Sequence, residues 1–262
     1  MASVLDALGS ARVFDLEQLR YAGAPSHPAH QPGFNYFLHR QHAPGATEAR
    51  TGASGLVVMP EHSGTHIDAL AHQAENLTLH GGVHVDSTVQ TSAGFRVLGI
   101  ETMAPLVTRG VLLDVAGTKR LAPEHSITVE ELQRAEAAAR VEVRAGDVVL
   151  VRTGYGTLWS KPAEYLLAAG VSAAGSRWLI DKKASAVGAD NMAWDVIGPT
   201  DPELGVTLPG HILLLVRAGI PIIENLNLEE LAAAQVHEFV FVCLPLKMRG
   251  ATGSPVRPIA IA

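Results

Sequence analysis

Three apolar segments of strand length constrain the fold of this chain more than any other feature. They lie at residues 110–116 (GVLLDVA), 147–154 (DVVLVRTG) and 184–190 (ASAVGAD), and stretches of helix length separate them. A short apolar run bounded by turn residues is typical of a strand buried in a sheet. The alternation of such strands with helices predicts an α/β domain.

Capping residues mark where helices between these strands begin. Thr128 and Glu131 form a capping box, which predicts a helix that runs to about Arg140. Ser172 is the predicted N-cap of a second helix, which extends towards Lys183. Strands outnumber helices and the two types are mixed in order, which predicts a single domain with a mixed sheet and flanking helices but leaves the strand order open. The other predicted elements are a helix at 208–219, a helix that begins with Asn227 and Glu230, and strands at 55–59, 220–226, 237–246 and 256–262.

Composition and charge exclude several classes of protein. The chain has 262 residues, of which 47% are apolar and 18% are charged. It is therefore long and apolar enough to bury a core, and we expect residues 1–262 to form a single domain. A net charge of −6 without a basic cluster predicts no nucleic-acid partner. No apolar run reaches the length of a membrane span, so we expect no membrane partner. The first residues lack the positively charged segment and the apolar segment of a signal peptide, so we expect no signal peptide and a cytoplasmic location. The one cysteine, Cys243, lies in the run FVFVCLPL and is expected to be a buried small side chain rather than a nucleophile.

Residues 22–54 show no clean period and are rich in proline, glycine and histidine. A loop of this length in a compact domain is typical of a lid, a binding loop or an arm that contacts a partner. Phe34, Tyr36 and Phe37 are candidates for stacking on a planar substrate, with anchoring of the loop in the core as the alternative for each. Trp194, which follows the GADN turn, is a weaker candidate for the same role.

Three histidines and one aspartate lie close together in the stretch EHSGTHIDALAH. His62 and His66 have the i, i+4 spacing of helical zinc sites, but the Ser-Gly-Thr between them is poor helix sequence and predicts a tight turn beside a strand. His66 and Asp68 then lie on one face of extended chain. Two imidazoles and a carboxylate suit Zn²⁺, Mn²⁺ or Fe²⁺ and leave a position for water. His72 is either a further ligand or a general base, and separate hydrogen-bonding roles for all four side chains are the alternative.

Two further polar residues lie where burial is expected. His211 is inside the apolar helix predicted at 208–219, and Glu224 is inside the apolar strand IPIIENL. Burying a charge without a partner is costly, so both side chains are candidates for a second metal position. A hydrogen-bonded core histidine and a solvent-facing strand position are the alternatives.

The stretch at residues 62–72, HSGTHIDALAH, resembles the motif H-x-G-T-H-x-D-x-P-x-H of the metal-dependent cyclase-like hydrolases, a family that includes bacterial kynurenine formamidases and isatin hydrolases. The segments VLVRTGYG and AVGADN, the pair His211 and Glu224, and the ending LPLKMRGATGSPVRPIAIA also look like family segments, so the resemblance runs from Val13 to the C-terminus. It implies a swivelling β/β/α-type fold, a homodimer or dimer of dimers, and hydrolysis of a small amide.

The resemblance also implies roles for individual residues. Those matching His62, His66 and Asp68 bind metal, and the residue matching His72 acts in catalysis. The residues matching His211 and Glu224 complete a binuclear site in the formamidases.

Two positions depart from the formamidase pattern. Leu70 stands where that pattern has proline, and Gln73 stands where it typically has phenylalanine, so the stretch resembles the isatin-hydrolase branch more closely. The resulting hypothesis is a hydrolase that uses Mn²⁺ or Zn²⁺ to open a small cyclic aryl amide. The alternatives are an arylformamidase and, in a different class, a non-catalytic metal-binding module.

Overall fold

The computed structural model describes residues 9–45 and 48–262. Its strands are β1 (Val13–Asp15), β2 (Asn35–Arg40), β3 (Ser54–Val58), β4 (His66–Asp68), β5 (Thr78–Leu79), β6 (Val83–His84), β7 (Gln90–Thr91), β8 (Gly94–Phe95), β9 (Leu106–Asp114), β10 (Ser126–Ile127), β11 (Val148–Arg152), β12 (Gly170–Val171), β13 (Ala186–Ala189), β14 (Ile222–Glu224), β15 (Glu238–Cys243), β16 (Gly253–Pro255) and β17 (Ile259–Ile261). Its helices are α1 (Val129–Ala139), α2 (Pro162–Tyr165), α3 (Ala173–Asp181), α4 (Pro209–His211), which continues as a π-helix over Ile212–Ala218, and α5 (Glu229–Ala233). Short 3₁₀ turns lie at Pro28–His30, His80–Gly82, Ile100–Thr102 and Tyr155–Leu158.

A mixed sheet of nine strands forms the body of the described chain, in the order β1-β17-β15-β9-β11-β13-β14-β4-β16. The central strands β9, β11, β13 and β14 are parallel neighbours, and they contain the apolar segments predicted as strands. The strands on either side of them run antiparallel. The prediction of an α/β fold with a mixed sheet is therefore confirmed.

The core lies on both faces of this sheet. Successive residues of a strand point to opposite faces, so Leu112 and Leu150 pack on one side while Val111 and Val149 pack on the other. Helices α1, α3 and α4 cover the second side. Cys243 is buried in the first cluster, where burial raises the pKa of its thiol to about 12, as expected for a structural cysteine.

The predicted caps are present at two of the helices. The backbone N–H of Glu131 donates to Thr128 Oγ1 at 3.3 Å, and Glu131 Oε2 accepts from the Thr128 N–H at 2.8 Å. Ser172 Oγ accepts a backbone N–H three residues further on at 3.0 Å. The helix predicted to begin at Asn227 begins two residues later, because Leu228 occupies the cap position with its side chain buried in the core. Among the described residues, no helix combines the length and the apolar character that crossing a membrane requires.

The region 22–54 is more regular than expected. It contains the 3₁₀ turn at Pro28–His30 and strand β2, which pairs antiparallel with β3 as a two-stranded ribbon outside the main sheet. Residues 46 and 47 of this region lie outside the described residues. The strand expected at 55–59 is thus present as β3, although it joins β2 rather than the main sheet.

Candidate metal centre

The pairing of β4 with β14 brings the first candidate ligands together. His66 and Asp68 lie on one face of β4, and the turn before it has Gly64 at φ +67°, a conformation that glycine adopts without strain. The antiparallel register places Glu224 of β14 directly opposite His66. The turn and strand predicted for this stretch are therefore present, and the main sheet holds them in place.

Five buried side chains converge at this point. His66 Nε2 lies 3.5 Å from Asp68 Oδ1 and 3.4 Å from Glu224 Oε2. His211 Nε2 lies 3.2 Å from Glu224 Oε1 and 3.7 Å from Asp68 Oδ2. His62 Nδ1 lies 2.8 Å from Asp68 Oδ1. The structure thus brings together all five side chains that the sequence suggested as metal ligands.

Two carboxylate oxygens in this cluster lack a hydrogen-bond partner. Asp68 Oδ2 and Glu224 Oε1 are both buried and accept no hydrogen bond in the structure. Leaving buried carboxylate oxygens unsatisfied is costly, and a cation offsets that cost. Ligand atoms of His62, His66 and Asp68 all lie within 4.8 Å of one another, and so do those of Asp68, His72 and His211. Nitrogen and carboxylate donors in this arrangement fit a divalent metal ion.

Hydrogen bonds on the far side of the imidazoles fix their orientation. Nδ1 of His66 donates to the Gly64 carbonyl at 2.8 Å, which leaves Nε2 facing the two carboxylates. Nδ1 of His211 donates to Asp195 Oδ2 at 2.9 Å, which likewise leaves Nε2 free to bind. His62 Nε2 lies 2.8 Å from Thr252 Oγ1. Metal-binding histidines commonly use such partners to select the tautomer.

Asp195 is a functional candidate that the sequence reasoning missed. Its side chain is buried, and its second oxygen accepts the backbone N–H of Gly210 at 2.7 Å, so both oxygens are engaged. A Cβ on Gly210 would lie 2.8 Å from Asp195 Oδ1 and 2.6 Å from Trp194 Cδ1, so this close approach requires glycine. The stretch AWDVIG places an acid between apolar residues, the same signal that pointed to Glu224.

The carboxylates hold positive charge on the histidines in the absence of a metal ion. Burial alone would lower the pKa of His66, but its contacts with Asp68 and Glu224 outweigh burial and raise that pKa to about 10. The pKa of His211 is likewise well above its ordinary value, because its contacts with Asp195 and Glu224 outweigh burial.

His72 lies beside this cluster. Its ring centroid is 3.9 Å from that of His62, and its Nε2 is 3.2 Å from the Nε2 amide of Gln73. Burial lowers the pKa of His72 to about 3, although the charge of Asp68 opposes the shift. His72 is therefore neutral at pH 7, which is the state that a general base requires.

A cavity of about 420 Å³ opens over the cluster. Its polar wall includes His27 and His30 from the turn in the 22–54 region, and its apolar wall includes Met192, Leu208 and Ile212. The His30 ring stacks on His62 with centroids 4.8 Å apart, and burial lowers the pKa of His30 to about 4. Part of the 22–54 region therefore covers the pocket, through His27 and His30. The only signal for these two residues in the sequence was the histidine-rich composition of the region.

The four aromatic residues suggested for substrate contact do not line this cavity. Phe34 is half-buried, and Tyr36 and Phe37 are exposed on the ribbon because β2 leaves the body of the molecule. Trp194 is fully buried in the core, where its Nε1 donates to Ser176 Oγ at 3.0 Å. Within this chain Trp194 is therefore a core residue, and Phe34, Tyr36 and Phe37 lie outside the lining of this cavity.

Comparison with known proteins gives the family context. The family model described as "Putative cyclase" matches residues 14–196. Cyclase-like protein 3 of Oryza sativa subsp. japonica is 28% identical over 204 residues, and cyclase-like protein 2 of the same plant is 27% identical over 206 residues. Each match covers 78% of this chain and 63% of the rice protein, so the chain spans less than two thirds of these relatives.

Solved structures share the fold over nearly the whole chain. The crystal structure of a novel cyclase is 27% identical, with a TM-score of 0.85 over 98% of this chain and 91% of that one. Isatin hydrolase A from Ralstonia solanacearum is 24% identical, with a TM-score of 0.77 over 100% of this chain and 98% of that one. At that identity the second likeness shows the fold alone.

Proposed function

The chain belongs to the putative cyclase family, and from that premise we propose that it is a metal-dependent hydrolase that opens a small cyclic aryl amide of the isatin type. The observation that carries this proposal is the pair of buried, unpartnered carboxylate oxygens on Asp68 and Glu224 at the floor of a small-molecule cavity. Structural likeness to isatin hydrolases supports the amide class. Leu70 and Gln73 support the cyclic substrate, because both depart from the formamidase pattern.

The ligand roles follow from the geometry. His62, His66 and Asp68 would hold one ion, and His211 and Glu224 would hold a second, with the two oxygens of Asp68 facing both groups. A bound Mn²⁺ or Zn²⁺ ion acts as a Lewis acid, which polarises a carbonyl and acidifies water. The Gly64 carbonyl and Asp195 keep Nε2 of His66 and of His211 directed at that position.

His72 is the proposed acid–base residue. Its Nε2 accepts the Gln73 amide in the structure, so this nitrogen is the unprotonated one of the neutral ring. A neutral imidazole can take a proton from the attacking water. The same imidazole would then give the proton to the leaving amide nitrogen. Met192, Leu208 and Ile212 supply apolar contact for the aryl ring.

The test is metal analysis of the purified protein, followed by assays with isatin and with N-formyl aryl amides in the presence and absence of chelator. We expect ring opening that is lost with chelator and restored by Mn²⁺ or Zn²⁺. Activity that persists after complete metal removal would contradict the proposal.

Arylformamidase activity is the second candidate. The residues that match His211 and Glu224 complete a binuclear site in the formamidases, and here both side chains are buried beside Asp68. A higher kcat/KM for N-formylkynurenine than for isatin would favour it. A non-catalytic metal-binding module accounts for the ligands but leaves the cavity and the neutral His72 without a role.

A further inference from the structure

A short chain of hydrogen bonds leads away from the candidate metal centre at His62. Nε2 of His62 lies 2.8 Å from Thr252 Oγ1, and the Thr252 hydroxyl in turn contacts Glu61 Oε1. The same Glu61 oxygen accepts the backbone N–H of Thr252 at 2.8 Å, which holds the threonine beside the carboxylate. The imidazole, the hydroxyl and the carboxylate therefore form one connected series, although 190 residues separate Thr252 from His62 in sequence.

The direction of each hydrogen bond follows from its donors and acceptors. A carboxylate has no hydrogen to give, so the Thr252 hydroxyl donates its single hydrogen to Glu61. The hydroxyl then has only lone pairs left for His62, and Nε2 of that ring is the donor. A neutral imidazole carries one proton. Nδ1 of the neutral His62 ring is therefore the nitrogen with a free lone pair.

The surroundings of His62 Nδ1 agree with this assignment. Nδ1 lies 2.8 Å from Asp68 Oδ1, and both side chains are buried. An unprotonated nitrogen and a carboxylate oxygen are both acceptors, so their buried contact is costly unless a cation lies with them. His66 Nε2 lies 3.5 Å from the same Asp68 oxygen. Asp68 Oδ1 thus faces Nδ1 of one histidine and Nε2 of the other.

The backbone of strand β16 confines the His62 ring. A Cβ on Gly253 would lie 2.7 Å from His62 Cε1 and 3.1 Å from its Nδ1, so the ring lies directly against this glycine. The carbonyl of Thr252 accepts the backbone N–H of Ala69 at 2.8 Å, which ties the threonine to the end of β4. The fold therefore fixes where the ring lies, and the hydroxyl fixes which of its nitrogens carries the proton.

We propose that Thr252 and Glu61 are positioning residues that keep the proton of His62 on Nε2, so that this ring binds a divalent cation through Nδ1. His66 and His211 differ, because their Nδ1 atoms donate hydrogen bonds and leave Nε2 for the cation. The inference rests on the metal site of the proposed function, but on neither the substrate nor the reaction. A group that orients a metal ligand typically contributes 10–100-fold to metal affinity.

The first comparison concerns the hydroxyl. Thr252→Val replaces it by a methyl group of similar size, and Thr252→Ser keeps it. The control is Thr91→Val, because the Thr91 hydroxyl is also half-buried and donates to the Gly94 carbonyl at 2.8 Å, in a hairpin outside the main sheet. The second comparison concerns the carboxylate. Glu61→Ala leaves the Thr252 hydroxyl free to donate to either side, whereas Glu61→Gln keeps an oxygen that accepts its hydrogen.

Two measurements are made on each protein. Isothermal titration of the metal-free protein with Zn²⁺ gives the affinity for the ion. Long-range ¹H–¹⁵N NMR spectra of the Zn²⁺-loaded protein with ¹⁵N-labelled histidine show which ring nitrogen carries the proton and which binds the ion. The signals of the His62 ring are assigned by their loss in His62→Gln.

We expect wild-type His62 to carry its proton on Nε2 and the ion on Nδ1. Thr252→Val and Glu61→Ala should lose about 10–100-fold in affinity for the ion that contacts His62, together with the Nε2–H signal. Thr252→Ser, Glu61→Gln and Thr91→Val should keep both.

The outcomes separate this inference from the proposed function. Zinc on Nε2 of wild-type His62 overturns the inference and leaves the metal-dependent hydrolase standing, and so does a folded Thr252→Val protein with wild-type affinity and protonation. A wild-type protein that binds neither Zn²⁺ nor Mn²⁺ overturns both. If the variants fail to fold, the ligating nitrogen of His62 in the wild type decides the inference alone.

Discussion

Replacement of Asp195 by asparagine tests whether the buried carboxylate holds His211 in its metal-binding tautomer. The carboxylate accepts two N–H groups, from Gly210 and from His211 Nδ1, at 2.7 and 2.9 Å. Asparagine has one oxygen and one NH₂ group. If the oxygen stays with Gly210, the NH₂ group faces His211 Nδ1 and favours the tautomer that carries its proton on Nε2. That proton would point at Glu224 and block the ligand atom.

The magnitude follows from the loss of this partner. Removing a group that orients a metal ligand typically costs 10–100-fold in metal affinity, which corresponds to about 1.4–2.7 kcal/mol. We expect a loss of this size for the ion that contacts His211. The ion held by His62 and His66 should be affected less, because the Gly64 carbonyl and Thr252 orient those two rings instead.

Isothermal titration of the metal-free protein with Mn²⁺ and with Zn²⁺ measures both affinities, and elemental analysis gives the stoichiometry. The matched control is Asp201→Asn, since Asp201 also accepts two backbone N–H groups, from Glu203 and Leu204, but lies in a loop away from the cluster. Thermal unfolding confirms that both variants fold. An Asp195→Asn protein that binds every ion with wild-type affinity would show that Asp195 does not position His211.

Two further predictions concern the proposed acid–base residue and the packing beside the candidate metal centre. His72→Ala should fold and keep its metal content but lose about 10²–10⁴-fold in kcat on the amide substrate. The control is His84→Ala, which changes an exposed histidine and should keep the wild-type kcat. A His72→Ala enzyme with the wild-type kcat would show that His72 takes no part in the reaction. Gly210→Ala places a methyl group 2.6 Å from Trp194 Cδ1. We therefore expect the free energy of unfolding in urea to fall by about 1–3 kcal/mol. An unchanged urea midpoint would show that the backbone moves to accept the methyl group without loss of stability.

Much of the candidate metal centre could be predicted from short-range sequence patterns. The position of Gly64 predicted the turn, and the i, i+2 spacing put His66 and Asp68 on one face, because both effects act within a few residues. His211 and Glu224 stood out because polar residues interrupted apolar elements, and the structure places both beside Asp68.

Features that depend on long-range pairing were not predictable in this way. The register that puts Glu224 opposite His66 joins strands more than 150 residues apart in sequence, and the strand order depends on many such pairings. The region 22–54 was expected to be irregular, since its prolines and glycines obscured the strand β2 that pairs with β3. Trp194 follows a turn next to the site, but its backbone N–H and its indole N–H both donate hydrogen bonds to buried groups, and its ring lies in the core.

The two halves of the cavity are built from elements of different rigidity. The proposed ligands His66, Asp68 and Glu224 belong to strands at the interior of the sheet, so moving any of them displaces the main fold. The opposite wall comes from the turn at Pro28–His30 and the connecting segment 206–208. Loop side chains there can be replaced without disturbing the sheet, so the shape of the pocket can change while the proposed ligands keep their positions.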